Sequence, residues 1–544
     1  MTDLPATAHA IQFTGPGVLV HNEAKPVPSP GPTQVLLKVE ATGLCFSDTK
    51  LLHAWTGHPR KGPVLSGLSA EVLAEIPSYT PGEIPGTPGH ECCARIVAVG
   101  SAVEHHAVGE RVLVQTDYRH LPTAGSNAAF GYTFEGGLAE YVLLDERVIL
   151  EPTTGERFLI PVGEAPSGSA VALLEPWACV EKSYANDERR TLLPGGRLLV
   201  AVEPGAPLAG ISTLLAAATP REIVRLDPVD AASLGRLAGG RFDDIVYAGA
   251  SADRIEALID LLAPGGVIDV VLGGRRVDRD AAVDVGRIHY DPIRLTGTTG
   301  TSAAEGYARI PADGELREGD TVAIVGAAGP MGFMHTVRAA TLGLHDLRVA
   351  AIDIDDARLA HLADVAGPIA AANGVEATFT NSRVSPPPNG AYSYVGVMVP
   401  APALVVQAVA MAAPGARINL FAGFAVGTRA LLDLNVVVGQ GLYLFGTSGS
   451  EIRDMRAVLG RLEAGRLDTN ISVDAVCGLE GVAAALAAVE ARSSGGKIVV
   501  YPALHDLGLV RLSELADRFP AVAAKLRDGT WTAEAEAALL AEPH

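Results

Sequence analysis

The chain of 544 residues carries 42 basic and 62 acidic side chains, a formal net charge of −20. This acidity disfavours nucleic acids and anionic membranes as partners, because both are themselves negatively charged. Hydrophobic residues make up 48% of the chain and charged residues 19%, which predicts large buried cores and excludes intrinsic disorder. At about 150 residues per domain, the length predicts three to four domains of a soluble α/β protein.

Five cysteines in so long a chain provide no disulfide framework, so we expect a reducing compartment, the cytoplasm. The first residues lack a basic region followed by an apolar one, and no signal peptide is predicted. The longest uncharged run, 395–416, contains three prolines. A strand followed by a buried helix explains this run better than a membrane span does.

The first 150 residues or so contain short β-type runs separated by glycine, proline and acidic turns, which indicates a compact β-rich unit. These runs are QVLLKVEATGL, ARIVAVG, ERVLVQT and AEYVLL. The segment 51–88 is rich in proline and glycine and is predicted to be a long loop that covers a site. Its His53 and His58, with His120 further on, are expected to be exposed loop residues, or alternatively to line a substrate cleft.

From about residue 170, helical stretches rich in alanine and leucine alternate with short apolar strands, as in βαβ units around a parallel sheet. The segments 195–302 and 319–450 resemble each other in three blocks that occur in the same order. All βαβ units share a general pattern, so chance similarity is the alternative, but the common order favours an internal duplication. The tail from about 503 is predicted to be helical and to be a surface appendage, with docking or dimer packing as the alternative.

The first group of candidate functional residues consists of Cys45, His90 and Glu91, in the motifs GLCFSD and PGHE. A thiolate, an imidazole and a carboxylate are ligands that tetrahedral zinc accepts. Adjacent residues of a regular strand point to opposite faces, so joint ligation by His90 and Glu91 requires an irregular backbone, which Gly89 permits. Glu175 lies in an otherwise apolar run, and a carboxylate is rarely buried unless it is paired or bound to a metal.

The second group lies at 321–332, where an apolar strand leads into a glycine-rich turn and a helix. Such a turn directs backbone N–H groups and a positive helix end at a pyrophosphate. Asp353 ends the next predicted strand, where a carboxylate binds the adenosine ribose. Together with Asp355 and Asp356 it disfavours a ribose phosphate, so the sequence predicts NAD rather than NADP.

The first copy of the repeat departs from this pattern at the corresponding turn. Only Gly205 remains of the glycines, and Glu203 introduces negative charge where a phosphate would bind. Pro204 and Pro207 also remove two N–H donors. We therefore expect the first copy to keep the fold but to bind no cofactor.

The two groups in this order resemble the zinc-dependent medium-chain alcohol and polyol dehydrogenases, most closely the threonine, sorbitol and sugar-phosphate dehydrogenases. The resemblance covers 8–185 and 315–502, and its most specific motifs are GLCFSD, PGHE, EGGLAEYV, LLEPWACV and GGKIVVYP. It implies an α/β protein with a β-rich GroES-like catalytic domain and a Rossmann doubly wound parallel sheet, here with a second, degenerate Rossmann-like module. The implied domains are 1–188, completed by 451–502; the degenerate module 189–303; the NAD-binding domain 304–450; and the helical tail 503–544.

The resemblance also assigns roles to individual residues. The metal ligands are Cys45, His90 and Glu91, with Glu175 as a fourth ligand or as the partner of a water on the metal. Ser47, Lys50 and Glu91 are the candidate catalytic residues; Ser47 accepts the alcohol proton, and Lys50, where many relatives have histidine, ends the proton relay. The candidate cofactor-binding residues are Gly326, Gly329, Pro330, Met331, Gly332 and Asp353. No cysteine follows Cys93 before residue 150, so one catalytic zinc and no structural zinc are expected.

The predicted function is zinc-dependent, NAD-linked interconversion of a secondary alcohol (a polyol, sugar or sugar phosphate) and a ketone, by a homodimer or homotetramer. Two alternatives stay open. One is a zinc-independent reductase of enones or quinones, although such relatives usually lack the Cys and the His–Glu pair. The other is a nucleotide-sensing or scaffold protein in which catalysis is vestigial, an alternative motivated by the degenerate first copy. Lys50 also has an alternative interpretation as a solvated surface group, and Ser47 as a turn residue.

Overall fold

The computed structural model describes residues 4–237 and 239–542. The chain divides into two compact units, one formed by Met1–Glu181 with Gly449–His544 and the other by Lys182–Ser448. The chain therefore leaves the first unit once and returns to it. Among the described residues, no helix combines the length and the apolar character needed to cross a bilayer.

The N-terminal part of the first unit consists mainly of strands. They are β1 (Thr7–Gly15), β2 (Val18–Pro26), β3 (Gln34–Leu44), β4 (Glu91–Val99), β5 (Arg111–Val114), β6 (Asp117–Pro122), β7 (Asn127–Ala129), β8 (Tyr141–Asp145) and β9 (Leu159–Pro161). The helices are α1 (Phe46–Ala54), α2 (Ala70–Ala74), α3 (Glu146–Ile149), α4 (Gly168–Ala172) and α5 (Leu174–Tyr184). The four β-type runs of the sequence are confirmed as β3, β4, β5 and β8.

The segment 51–88, predicted as a loop, instead contains α2 and two short 3₁₀ turns. Lys61 anchors it: this side chain is 1% exposed, and its ammonium group donates to the carbonyls of Thr80 and Ile84. Burial lowers the pKa of Lys61 to about 8, while Glu135 opposes the shift. The prolines and glycines that suggested a loop therefore separate short helical turns around a buried lysine.

The second unit alternates strands and helices. Its first half contains β10 (Arg197–Val202), α6 (Ile211–Ala217), β11 (Glu222–Leu226), α7 (Ala231–Gly235), β12 (Phe242–Ala248), α8 (Ala252–Asp260), β13 (Leu262–Val271), β14 (Ala281–Asp284), α9 (Val285–Tyr290), β15 (Arg294–Thr298) and α10 (Ala303–Ala308). Its second half contains β16 (Thr321–Val325), α11 (Pro330–Thr341), β17 (Arg348–Asp353), α12 (Asp356–Ala372), β18 (Glu376–Asn381), β19 (Tyr392–Val397), α13 (Pro402–Met411), β20 (Ala412–Leu420), β21 (Arg429–Leu432), α14 (Leu434–Gly439) and β22 (Tyr443–Phe445). In the uncharged run 395–416 the strand and the following helix are confirmed, but the helix, α13, is only partly buried: Val405, Ala408, Val409 and Met411 face the core, whereas Val406 is exposed.

Both halves contribute to one 11-stranded sheet, in the order β11-β10-β12-β13-β15-β22-β20-β19-β16-β17-β18. In this sheet neighbouring strands are parallel within each half, and the halves meet at the antiparallel pair β15 with β22. A second antiparallel pair between the halves, β14 with β21, forms a separate two-stranded sheet. Outward from β15 and β22, the order β15-β13-β12-β10-β11 of the first half corresponds to β22-β20-β19-β16-β17 of the second, which adds β18 at its edge. This is the arrangement expected for two copies of one module. One hydrophobic core runs through both halves, including Ile245, Leu295, Val395 and Leu444. The division of this unit at residue 303 stays a prediction.

The C-terminal part completes the first unit. Its elements are α15 (Ile452–Glu463), β23 (Val473–Cys477), α16 (Val482–Glu490), β24 (Lys497–Val500), β25 (Val510–Arg511), α17 (Leu515–Arg518), α18 (Pro520–Ala523) and α19 (Ala533–Ala541). The strands join the N-terminal ones in an eight-stranded sheet ordered β25-β23-β24-β3-β4-β5-β9, with β8 also paired to β3. The strand β3 therefore lies between strands from opposite ends of the chain.

The helical tail is not the surface appendage that the sequence suggested. Trp531 is completely buried, and its indole N–H donates to the hydroxyl of Tyr501 over 3.1 Å. The Glu536 carboxylate accepts the backbone N–H groups of Gly168 and Ser169 at 2.6 and 2.8 Å, at the start of α4. A carboxylate at a helix N-terminus satisfies otherwise unpaired N–H groups. The tail is thus docked on the first unit through both apolar and polar contacts.

Candidate active site

Cys45 lies at the junction between β3 and α1, where it is the N-cap residue of the helix. Its backbone is extended, with φ −121°, and its N–H donates to the Asp48 carboxylate over 2.9 Å. Asp48 is completely buried, three residues into the same turn. The local sequence therefore fixes the position of the thiol through a capping interaction.

His90 and Glu91 are adjacent in sequence but are not successive residues of a strand. Gly89 has φ +95°, a left-handed conformation, and β4 begins only at Glu91. A side chain at Gly89 would collide with Leu138 and Thr42. The irregular backbone that joint ligation requires is therefore present at the predicted glycine.

The side chains of Cys45, His90 and Glu91 come together in the first unit. One sulfur, nitrogen or oxygen atom from each lies within 4.8 Å of the others. Thiolate, imidazole and carboxylate are ligands of zinc. The structure places Glu175 outside this set of three.

Asp48 orients the imidazole of His90. Its Oδ1 lies 3.2 Å from Nδ1 of His90, while the other ring nitrogen, Nε2, faces the Ser47 hydroxyl at 3.3 Å. A carboxylate on the second nitrogen of a ligating histidine fixes the tautomer and the direction of the ring. Sequence reasoning missed this role of Asp48, although its place in the capping turn after Cys45 was visible.

Only one of the two oxygens of the Glu91 carboxylate accepts a side-chain hydrogen bond from the described residues. Its Oε1 accepts a hydrogen bond from Lys497 of β24 over 2.5 Å, whereas its buried Oε2 has no hydrogen-bond partner among the described residues. Gly43 of β3 pairs with Glu91 across the sheet, and a methyl group there would overlap Oε2. An unpaired buried carboxylate oxygen beside a thiol and an imidazole fits the donor set of a metal ion.

Replacement of Lys497 tests the importance of this ion pair. Lys497 is 4% exposed, and Glu91 raises its pKa against the effect of burial. We expect Lys497→Met to lower the free energy of unfolding by about 3–5 kcal/mol, because the Glu91 charge stays buried without its partner. Urea denaturation measures the change.

The matched control is Lys525→Met at an exposed lysine of the same unit, for which we expect a change within about 0.5 kcal/mol. Equal unfolding free energies for the two variants would contradict the prediction.

Glu175 lies in α5 and is 7% exposed. Burial raises its pKa to about 7; the nearby His90 opposes this shift and Glu91 adds to it. The thiol of Cys179 donates to Glu175 over 3.4 Å. Glu175 is therefore a further buried carboxyl group near the three-residue cluster, in addition to Asp48, and its burial favours the neutral form.

Lys50 does not occupy the buried position expected for the end of the proton relay. It is exposed on α1, with its ammonium group 5.6 Å from the Phe46 ring centre. His58, expected on an exposed loop, is partly buried and stacks on Tyr132, whose ring lies 5.3 Å from that of His90. Burial, aided by Arg60, lowers the pKa of His58 to about 4.

The second unit contains the predicted glycine-rich turn between β16 and α11. Gly326 has φ +84°, and a side chain at Gly332 would overlap the backbone of Gly326 and Ala327. Gly329 precedes the helix, and a methyl group there would meet only the Gly326 carbonyl oxygen, at a van der Waals distance of 3.7 Å. Pro330 is the first helical residue and Met331 follows it, so the free N–H groups of the first turn begin at Met331.

Asp353 ends β17, as predicted, and its carboxylate is 8% exposed. One oxygen accepts the N–H of Ala328 at 2.9 Å, and the other accepts the N–H of Ile354 at 2.7 Å. Asp353 therefore stabilises the glycine-rich turn itself through its hydrogen bond with Ala328.

In the first half of this unit, the corresponding turn is occupied by the side chain of Glu203. This carboxylate is 8% exposed and accepts hydrogen bonds from the Tyr247 hydroxyl and from Arg254, both at 2.5 Å. Arg275 binds its other oxygen at 3.2 Å. The carboxylate of Glu203 is thus paired with the two positive side chains beside this turn.

Comparisons with known proteins agree with this architecture. Residues 31–153 match the model of the alcohol dehydrogenase GroES-like domain. An uncharacterized zinc-type alcohol dehydrogenase-like protein of Escherichia coli (strain K12) is 31% identical over 23% of this chain and 34% of its own length. The chain thus spans about a third of this relative.

Other relatives are matched over most of their length. D-altritol 5-dehydrogenase of Agrobacterium fabrum is 26% identical over 57% of this chain and 89% of its own. The fold is shared with 2R,3R-butanediol dehydrogenase from Bacillus subtilis, with a TM-score of 0.51 and 16% identity over 91% of this chain and 100% of that one. The comparisons show an alcohol dehydrogenase GroES-like domain at residues 31–153 and similarity of the chain to alcohol and polyol dehydrogenases.

Proposed function

We propose that this protein is a zinc-dependent, NAD-linked dehydrogenase that interconverts a secondary alcohol, such as a polyol, sugar or sugar phosphate, and the corresponding ketone. The observation that carries the proposal is the convergence of Cys45, His90 and Glu91 with one carboxylate oxygen left unpaired. The zinc-type and altritol dehydrogenase relatives support the choice of metal and substrate class.

The residues of the chain have distinct tasks in this proposal. Cys45, His90 and Glu91 would hold one zinc ion, which when bound polarises the substrate oxygen and lowers the pKa of the alcohol. Asp48 keeps the His90 ring in position. The Ser47 hydroxyl lies beside His90 and would accept the alcohol proton.

The glycine-rich turn of the second unit would bind the NAD pyrophosphate. Backbone N–H groups at the start of α11, beginning at Met331, and the positive end of the helix favour an anion there. Gly329 leaves room for the close approach of the phosphates, and Gly332 allows α11 to pack against the turn. NAD bound in this way supplies the hydride acceptor.

The direct test combines metal analysis of the purified protein with NADH absorbance in the presence of a panel of polyols, sugars and sugar phosphates. We expect one zinc per chain and zinc-dependent NADH formation with at least one substrate. Metal-free protein that reduces enones or quinones would indicate the zinc-independent reductase instead. Zinc-loaded protein that turns over no alcohol or ketone would favour the sensing or scaffold alternative.

Asp353→Ala should change cofactor preference. Loss of the carboxylate removes the ribose partner and the repulsion of a ribose phosphate, so we expect NAD affinity to fall at least about tenfold while NADP binding improves. Fluorescence titration with NADH and NADPH measures both affinities. An exposed carboxylate of α12, changed in Asp364→Ala, is the control, and an unchanged NAD-to-NADP preference in Asp353→Ala would contradict the assignment.

The first half of the second unit should bind no dinucleotide, because Glu203 with Arg254 and Arg275 fills the corresponding turn. Isothermal titration calorimetry should therefore give one NAD per chain. Two equivalents per chain would show that the Glu203 side chain is displaced by a phosphate.

A further inference from the structure

The second unit has an arginine-lined cavity of about 310 Å³ that no part of the proposed reaction uses. Four arginines contribute to its wall, and no acidic side chain does, although the chain as a whole is strongly acidic. The arginines are Arg190, Arg309, Arg317 and Arg417. A concentration of one charge in a concave site focuses the electrostatic potential and attracts the opposite charge.

The cavity lies away from the glycine-rich turn. Arg417 of β20 is paired with Tyr394 of β19, which in turn is paired with Val322 near the start of β16. The turn follows the other end of β16, at Gly326. Parallel strands all begin on one side of a sheet and end on the other. The cavity therefore lies at the amino-terminal ends of these strands, and the glycine-rich turn lies at their carboxyl-terminal ends.

The positive charge of the cavity is only partly neutralised. Arg417 is buried and pairs with Asp320 at 2.6 Å, so this guanidinium is already compensated. Arg309 donates to the carbonyl oxygens of Gly297 and Val438, which carry no net charge. Its charge remains available to a ligand.

The other two arginines, Arg190 and Arg317, are exposed and form no close ion pair within the described residues. Arg317 has an acidic neighbour, Asp313, only at 4.0 Å. Arg190 has no hydrogen-bond or ion-pair partner within 4–237 and 239–542. Both side chains can therefore turn toward a ligand without loss of a structural contact.

We propose that this cavity binds a small phosphate-bearing molecule. Guanidinium groups from separate segments match several oxygens of a tetrahedral phosphate, whereas a carboxylate has only two. The volume is that of a small ligand site. Because Arg309 belongs to the first half of the unit and Arg417 to the second, the bound molecule contacts both halves of the long sheet and stabilises the native state.

Thermal unfolding of the full-length protein with inorganic phosphate, at constant ionic strength set with sodium chloride, tests the proposal. We expect a saturable rise in the unfolding midpoint. The double variant Arg190→Gln with Arg317→Gln should need at least about tenfold more phosphate for half of the rise, since two charge-assisted hydrogen bonds are lost. The matched control, Arg221→Gln with Arg236→Gln, removes two exposed arginines of the same unit and should behave like the wild type.

Three results would overturn the proposal. A wild type without a saturable rise would show that no phosphate site exists. Equal phosphate dependence in all three proteins would place the phosphate elsewhere, including the turn at Gly326. Citrate that acts at lower concentrations than phosphate and pyrophosphate would assign the cavity to polycarboxylates instead.

Discussion

Cys45→Ser is expected to remove the bound metal and to lower kcat/KM for alcohol oxidation by roughly a thousandfold or more, since Lewis-acid catalysis supplies several kcal/mol. A serine hydroxyl stays protonated at neutral pH and is a poor zinc ligand, whereas a cysteine thiolate is a strong one. His90 and Glu91 would then be the remaining two members of the three-residue cluster. Zinc content and steady-state kinetics measure the two effects on the same sample.

Cys477→Ser is the matched control. Cys477 is also buried, in β23 of the same sheet, but it lies outside the set of three candidate ligands. We expect this variant to keep its zinc and its activity, with a loss of stability of about 1–3 kcal/mol from burial of a hydroxyl. Full activity of Cys45→Ser without zinc, or full zinc content in that variant, would contradict the assignment.

The sequence indicated the three ligand candidates but not the residues that hold them. The resemblance of the motifs is enough to select Cys45, His90 and Glu91. The glycine at position 89 also indicates the irregular backbone that precedes β4. Lys497 is 406 residues from Glu91 along the chain, and the two meet only because β24 pairs with β3 beside β4. Such pairing between distant strands leaves no local pattern in the sequence.

Lys50 illustrates a second limit of prediction from the sequence, which concerns the burial of individual residues. Helix α1 was not predicted from the sequence, and its burial depends on what packs against it. Asp48 and Lys50 lie two residues apart in α1, yet Asp48 is completely buried and Lys50 is exposed. Residues two apart on a helix face different directions, and the sequence did not show which direction is the interior.

The glycine-rich turn was predictable because its requirements are local. Left-handed φ at Gly326 and close packing at Gly332 restrict those positions to glycine, and the strand, turn and helix occur where the pattern placed them. The hydrogen bonds from the turn to Asp353 were not predictable, because they depend on the alignment of β16 with β17. The antiparallel pairing of β15 with β22 was not predictable either, because it also depends on how distant strands align.

The tail provides an expected effect on stability as large as that of Lys497→Met. Trp531→Ala should lower the free energy of unfolding of the first unit by about 3–5 kcal/mol, because it opens a cavity in a completely buried position. It also removes the hydrogen bond to Tyr501, whose hydroxyl donates to Glu536. The capping of α4 by Glu536 should therefore weaken together with the packing.

Leu540→Ala is the matched control, since Leu540 lies on the neighbouring helix α19 with 43% exposure. Its truncation should cost less than about 1 kcal/mol, because little apolar area returns to water. Urea denaturation followed by tryptophan fluorescence and circular dichroism compares the two variants. Similar losses for both would mean that the tail packs loosely against the sheet, and that β3 and its neighbours hold the candidate metal ligands without its help.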